Sequence, residues 1–275
     1  MQVKVADHSG FCFGVRRAIG VAEDVLTSAN KNKKIYSFGA IIHNPQVVEA
    51  LSKKGLSVIK DANTIKDGVV IISSHGATRE IIDRLKKKKI KLIDATCPFV
   101  KYAHDIVKDL KKKGYQVVII GDKEHPEVKA LNSLAREAVG KKRVTKKKIG
   151  IISQTTQNKE GYIKKANDLL LKGDFSEARI FNTICSDTAH RQESCRRLLK
   201  ECDVMIVVGG KNSANTRRLC GICKESGVDT YHIEVDSELK KNWFNRKIRV
   251  GVVSGASTPK EMVNSVVNQI ETIVG

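Results

Sequence analysis

The sequence predicts an α/β protein of three similar parallel-sheet lobes in a pseudo-threefold arrangement around a central cavity. Three observations carry this reading. Short β-rich runs alternate with helical patterns along the whole chain, the signature of parallel strands joined by crossover helices. The strand–helix units fall by their loop chemistry into three kinds, which recur in the same order three times. Cysteine marks the recurrence: Cys12 to Cys97 is 85 positions and Cys97 to Cys185 is 88. A period this long is a domain-sized duplication rather than a short solenoid repeat. The lobes are 1–96, 97–184 and 185–275.

The first lobe opens with VKVADHSGFCFGVRRAIGVAEDVL, an apolar run, a polar loop ending at Cys12, then a helical pattern. KIYSFGAIIHNPQVVEAL places His43 in its loop, LSVIKD adds a short strand, and GVVIISSHGATREIIDRL carries His75. The second lobe repeats the plan. IKLIDATCPFVKYAHDIVKDL holds Cys97, YQVVIIGDKEHPEVKAL holds His125 and Glu127, and IGIISQTTQNKEGYIKKANDLL holds Thr155. In the third lobe, ARIFNTICSDTAHRQESCRRLL has Cys185 and CDVMIVVGGKNSANTRRL has Ser213, Ala214 and Asn215. DTYHIEV is a further short strand, and IRVGVVSGASTPKEMVNSVV supplies Ser257. The N-terminal strand is able to pack with another lobe. Ligands of parallel sheets lie beyond the carboxyl ends of the strands, and each of these loops sits at such an end. Three lobes would therefore gather three cysteines and six polar loops at one cavity.

A chain of 275 residues, 41% hydrophobic, buries a substantial core. Its start, MQVKVADHSG, has no apolar h-region of an export signal. Apolar runs such as VMIVV at 204–208 are too short to span a bilayer, so a soluble, cytoplasmic protein without a membrane partner is expected. Seven cysteines in a reducing compartment argue against a disulfide framework. The formal charge is +20, much of it in lysine runs at 86–89, 111–113 and 141–148. The runs are scattered and lack interleaved aromatics, which favours solvated helix ends and loops over a nucleic-acid surface. A basic field also attracts a small anionic substrate.

Cys12, Cys97 and Cys185 each lead into a helix whose N-terminal dipole favours thiolate. Three thiolates with no fourth equivalent suit a metal centre with one open position. Zinc with three sulfurs plus water and an iron–sulfur cluster with one exposed iron both meet that description. Buried cysteines copied by duplication are the plain alternative. Cys195, Cys202, Cys220 and Cys223 read as helix-face core, the 195/202 spacing being wrong for a zinc knuckle. His8, His104, His190 and His232 have no counterparts across the repeats and read as structural or surface residues. VVGGKNSAN lacks G-x-G-x-x-G, so direct binding of a nicotinamide cofactor is not expected.

GFCFGV, DATCP, HPEV, SQTT, NTIC, GGKNSANTRRL and SGASTP, in this order, resemble the 4-hydroxy-3-methylbut-2-enyl diphosphate reductase family. Its members end the non-mevalonate isoprenoid route, and the resemblance runs from about residue 3 to 273. It implies one 4Fe–4S cluster on Cys12, Cys97 and Cys185, with one open iron that takes the substrate's hydroxyl. It implies two-electron reductive dehydroxylation of an allylic diphosphate to isopentenyl and dimethylallyl diphosphate. His43, His75, His125, Thr155, Ser213, Ala214, Asn215 and Ser257 match its substrate contacts. Glu127 matches its proton-delivering acid and Thr155 a positioning and relay residue, with Gln154 and Thr156 as lesser neighbours. Ala214 stands where a second serine is common in the family, so any contact there uses backbone N–H. The implied electron donor is a single-electron carrier, ferredoxin or flavodoxin; no nucleic acid is expected. Read from residues alone, a basic nucleic-acid-binding protein and a zinc hydrolase on the same three cysteines remain the alternatives.

Overall fold

The computed structural model describes residues 1–29, 33–135, 147–245 and 249–274. The lysine run at 141–148 thus lies outside the described residues except for Lys147 and Lys148. The chain starts with β1 (Gln2–Val5) and α1 (Phe13–Ser28). Next come β2 (Ile35–Phe38), α2 (Pro45–Lys53), β3 (Leu56–Ile59), β4 (Val69–Ile72), α3 (Arg79–Lys87) and β5 (Lys91–Asp94). The middle third has α4 (Pro98–Lys112), β6 (Gln116–Ile120), α5 (Pro126–Ala135), β7 (Lys148–Ser153), α6 (Lys159–Lys172) and β8 (Glu177–Phe181). The last third has α7 (Ser186–Leu199), β9 (Val204–Val208), α8 (Ala214–Glu225), β10 (Asp229–Ile233), β11 (Arg249–Ser254) and α9 (Lys260–Val274).

The fold is α/β with three parallel sheets, ordered β3-β2-β4-β5, β6-β7-β8 and β1-β11-β9-β10. Every pairing is parallel, as strands joined by helical crossovers must be. LSVIKD and DTYHIEV form the edge strands β3 and β10. The N-terminal strand pairs with β11, at the far end of the chain. Each strand that precedes a repeated cysteine, β1, β5 or β8, is an edge strand with several solvent-facing residues. The strands inside the sheets are buried on both faces, as parallel sheets covered by helices require.

The chain forms two compact units. Residues 1–15, 43–45 and 185–275 make one; residues 16–42 and 46–184 make the other. In the first, β9 presents Val204, Ile206 and Val208 to a core that includes Val263, Val266 and Ile270 of α9. Met205 and Val207 face the opposite cluster, which contains Cys195, Cys202, Cys220 and Cys223. Each such Val or Ile contributes about 1.5–3 kcal/mol on burial. These four cysteines are core, and the Cys195 and Cys223 sulfurs lie 3.4 Å apart. One detail departs from the helical reading of this set. Cys202 lies in the turn before β9, because α7 ends at Leu199 and its cap residue Lys200 closes onto Arg197 and Leu198.

In the second unit, α3 ends in Lys86 and Lys87 and α4 in Lys111 and Lys112, where cations complement the helix dipole. No helix among the described residues is long and apolar enough to cross a membrane. In β7, Ile149 and Ile151 pack on Tyr162 and Ala166, while Ile152 faces Ala103, Val107 and Leu110 of α4. Gly150 shares the face of Ile152, and a Cβ there would stand 2.6 Å from a Leu110 methyl carbon. Gly150→Ala therefore overpacks the α4–sheet contact. It should cost about 1–3 kcal/mol, read as a lower urea midpoint at unchanged m-value. An unchanged midpoint would show that Leu110 simply turns aside.

Candidate functional site

The three repeated cysteines each stand at the start of a helix. Cys12 immediately precedes α1, and Cys97 and Cys185 are the N-cap residues of α4 and α7. The Val15 amide donates to the Cys12 sulfur at 3.4 Å, and the Thr188 amide to the Cys185 sulfur at 3.3 Å. The Cys97 sulfur receives the amides of Phe99 and Val100. All three thiols are partly exposed and in no disulfide. Burial raises the Cys97 thiol, against the pull of those amides, and pushes Cys185 up to about 11. A bound metal's own positive charge is what would hold such sulfurs as thiolates.

In the unit that holds residues 185–275, one buried guanidinium ties the cysteine segments together. Arg191 is 3% exposed and donates from Nε to Asp187 at 2.6 Å. Its Nη1 reaches the carbonyls of His8 (2.9 Å) and Ser254 (3.3 Å), and its Nη2 those of Gly10 (2.7 Å) and Asp187 Oδ1 (3.5 Å). The loop before Cys12, the helix after Cys185 and the end of β11 are thereby fixed to one side chain. His8 stacks on His190, with ring centroids 5.2 Å apart. Arg191 was not legible as functional: its partners are backbone carbonyls more than 180 positions upstream and 63 downstream. The only hint is its i,i+4 spacing from Asp187.

The same unit carries His43, Ser213, Ala214, Asn215 and Ser257. Ser213 caps α8 by accepting the Thr216 amide at 3.3 Å, which leaves its own hydroxyl proton to donate. Ala214 opens the helix, so geometry gives its amide no intrahelical acceptor. Asn215 is 4% exposed, yet neither its side-chain oxygen nor its nitrogen has a hydrogen-bond partner. A carboxamide left so costs about 1–3 kcal/mol unless a ligand meets it. Ser257 donates to the His43 carbonyl at 3.0 Å, holding that loop. Burial first, and the Arg217 charge second, lower His43 to about 4, so its imidazole is neutral.

The unit of residues 16–42 and 46–184 brings Cys97, His75, His125, Glu127 and Thr155 to the carboxyl ends of its strands. Ser74 links two of these loops: its amide and hydroxyl donate to the Ile41 carbonyl at 3.2 and 2.9 Å, and its carbonyl accepts the Cys97 amide at 3.0 Å. Arg17 donates to the carbonyls of Thr96 and Asp94, just before Cys97. His75 and His125 meet edge to face, their centroids 5.3 Å apart. The Glu127 amide donates to Nδ1 of His125 at 3.2 Å, which places that imidazole's proton on Nε2.

Glu127 lies in the first turn of α5, where a glutamate is ordinarily solvated; here it is 2% exposed. Its carboxyl accepts the Thr155 amide at 2.7 Å and the Thr155 hydroxyl at 2.8 Å. Burial raises it to about 7, the two Thr155 bonds pulling the other way. Gln154 serves the loop, its Oε1 accepting the Asp122 amide and its Nε2 donating to Thr156. Of the other histidines, His232 meets the Gly209 carbonyl at 2.8 Å and His104 lies in the wall of a separate cavity.

A family model for the LytB protein matches residues 3–271. The 4-hydroxy-3-methylbut-2-enyl diphosphate reductase of Geotalea uraniireducens (strain Rf4) is 43% identical over 281 residues, covering 99% of this chain and 98% of its own. A solved structure of (E)-4-hydroxy-3-methyl-but-2-enyl diphosphate reductase, the terminal enzyme of the non-mevalonate pathway, is 42% identical. It matches with a TM-score of 0.69 over 99% of this chain and 100% of that one. The E-1-hydroxy-2-methyl-but-2-enyl-4-diphosphate reductase of Plasmodium falciparum is 28% identical, with a TM-score of 0.88 over 97% of this chain and 87% of that one.

Arg191→Lys keeps the charge but cannot supply the planar set of five donors. The variant should lose about 3 kcal/mol in urea unfolding, with faster amide hydrogen exchange between Gly10 and Phe13. Unchanged exchange there would show that the loop before Cys12 does not depend on Arg191.

Proposed function

The chain belongs to the LytB family of 4-hydroxy-3-methylbut-2-enyl diphosphate reductases, and on that premise we propose how its own residues divide the reaction. It is a reductase of the non-mevalonate route to isoprenoids. The substrate is an allylic diphosphate whose hydroxyl leaves as water, using two electrons and two protons, to give isopentenyl and dimethylallyl diphosphate. Cys12, Cys97 and Cys185, one from each of lobes 1–96, 97–184 and 185–275, hold one 4Fe–4S cluster with one iron left open. Three sulfurs at helix starts, each accepting amide hydrogen bonds from its own first helical turn, fit such a group. When bound, the cluster supplies electrons and a Lewis-acidic iron for the substrate hydroxyl.

The observation that carries the reading is the Glu127–Thr155 pair. A carboxyl buried to the point of titrating near neutrality, and bonded to a hydroxyl, is poised to release a proton in a closed site. Glu127 gives its proton to the departing oxygen by way of the Thr155 hydroxyl. The diphosphate takes donors from His43, His75 and His125, from the hydroxyls of Ser213 and Ser257, and from the Asn215 amide. Neutral His43 and the Nε2 proton of His125 suit that role, as does the unmet carboxamide of Asn215. At Ala214 the contact is the backbone amide at the start of α8. Electrons come from a ferredoxin or flavodoxin, and a net charge of +20 favours docking of an acidic carrier.

Anaerobic purification with assay of iron, acid-labile sulfide and zinc tests the cluster directly. About four iron and four sulfide per chain are expected; zinc without sulfide would point to hydrolysis instead. Cys97→Ser should lose the stable cluster, and full iron content in that variant would overturn the ligand assignment. Glu127→Gln should keep its iron while turnover falls about 100-fold or more. The acid form is active, so kcat/KM of the parent enzyme should fall as pH rises through about 7, a limb absent from the residual activity of Glu127→Gln. Near-normal turnover in the variant would remove Glu127 from the proton role.

A further inference from the structure

A cavity of about 430 Å³ opens between α3 and α4 beside the strands β4 and β5, within the size range of small-molecule sites. None of the residues assigned above to the cysteine, histidine or Glu127–Thr155 groups lines it. Its apolar wall is built by Ile72, Ala77, Ile82, Leu92 and Leu134. Four cations, Arg79, Lys86, Lys101 and Lys108, stand around it against two carboxylates, Asp94 and Asp105. Both carboxylates are already engaged, Asp94 by Lys101 at 2.7 Å and Asp105 by Lys108 at 2.8 Å. Arg79 reaches Asp83 only at 3.5 Å, and Lys86 has no ion pair among the described residues. An apolar wall with unpaired Lys86 at its rim, beside the more loosely paired Arg79, asks for a ligand with an apolar body and an anionic head.

The wall is shared with two loops of the reductase site. Thr96 precedes Cys97, and Ala77 follows His75 by two positions. His104, also in the wall, packs under Gly76, where a Cβ would stand 3.0 Å from the imidazole Cε1. Gly76 has φ +80° and closes the His75 turn, its backbone N–H donating a hydrogen bond to the Ser73 carbonyl at 3.0 Å. The His104 Nε2 has no hydrogen-bond partner. His104 thus stands between the cavity and Gly76, so an occupant that presses on the imidazole presses on the turn that carries His75, and one that presses on Thr96 presses on the cap at Cys97.

We propose that this cavity is a second ligand site, for an alkyl or prenyl chain that ends in a phosphate or carboxylate, and that its occupant shifts turnover through the His75 and Cys97 loops. The proposal goes beyond the reductase reading, and binding at the site does not depend on it.

Calorimetry on the reconstituted holoenzyme tests it with three probes: geranyl diphosphate, decanoate and inorganic diphosphate. Two variants alter the cavity away from the reductase residues: Ile82→Trp fills it and Lys86→Glu reverses the rim charge. At least one chain-bearing anion should show a binding event that weakens about tenfold or more in Lys86→Glu and is lost in Ile82→Trp, over and above the head-group binding at the reductase site that inorganic diphosphate reports alike in all three proteins. Binding of geranyl diphosphate alone supports a prenyl diphosphate as occupant; binding of decanoate as well supports a general amphiphilic anion. Binding that neither variant weakens, or no binding by either chain-bearing anion, overturns the site. Lys86 is exposed on α3, so Lys86→Glu remains informative should Ile82→Trp fail to fold. In turnover assays the bound chain should change kcat at saturating substrate in the parent and not in Lys86→Glu. Purely competitive inhibition, equal in both proteins, places the ligand in the reductase site and overturns the proposal. Loss of the reductase reading would show instead as no turnover in any protein, with the calorimetry untouched.

Discussion

The buried guanidinium of Arg191 is the constraint on which the geometry of two of the three cysteines rests. A charge taken from water must be paired and fully hydrogen-bonded, or its burial costs several kcal/mol. Arg191 meets that condition with five N–H groups, spent on Asp187 and on the carbonyls of His8, Gly10 and Ser254. The carbonyls of His8 and Gly10 belong to the loop after β1, and that of Ser254 to the last residue of β11. One side chain on α7 thus holds the loop into Cys12, the exit of β11 and the helix that starts at Cys185. Because the donors leave a rigid plane, the three segments are fixed in direction as well as distance.

The second unit reaches the same end without a buried charge. There Ser74 does the joining, with a two-fold donation to Ile41 and a carbonyl turned to the Cys97 amide. In both units the cysteine follows an edge strand, so its loop lacks a second neighbouring strand to fix it. Side-chain ties finish inner strands as well: Thr183 donates to the Ser153 carbonyl at the end of β7, and Thr258 to the Val208 carbonyl at the end of β9. Parallel sheets then do the rest. Inner strands buried on both faces fix the carboxyl ends, and the loops from those ends carry His75, His125 and Thr155.

What was legible in the sequence follows from what repeats or alternates. The strand–cysteine–helix units, the short strands β3 and β10 and the apolar runs of β9 and β11 show themselves through periodicity and loop residues. So does the capping position of Cys97 and Cys185, because a loop that ends where a helical pattern starts leaves little choice. The middle sheet has three strands among the described residues, with no counterpart there of β3 or β10. Arg191 and Ser74 were illegible for one reason: their partners are backbone carbonyls and amides, which no sequence pattern marks. Cys202 reads as helix face in the sequence, whereas the end of α7 is set by its backbone cap at Lys200. The burial of Glu127 was hidden too, since a glutamate in a first helical turn has an adequate explanation in the helix dipole alone.

Glu127 shows how sequence-distant segments set one property that none carries alone. Burial in the first turn of α5 drives the carboxyl toward its neutral form. The Thr155 amide and hydroxyl, delivered by the loop after β7, favour the charged form. Either influence alone would spoil the acid proposed above, which is to work near neutral pH. A solvated Glu127 would titrate in the ordinary carboxylate range and be spent before it met substrate. A buried Glu127 with no donors would hold its proton too tightly to release it. The balance near 7 therefore depends on a register between two neighbouring strands, β6 and β7, whose parallel pairing brings the start of α5 beside Thr155. In the proposed reaction the sheet is in this sense part of the proton chemistry: its register sets which hydroxyl the carboxyl meets, and the meeting sets when the proton leaves.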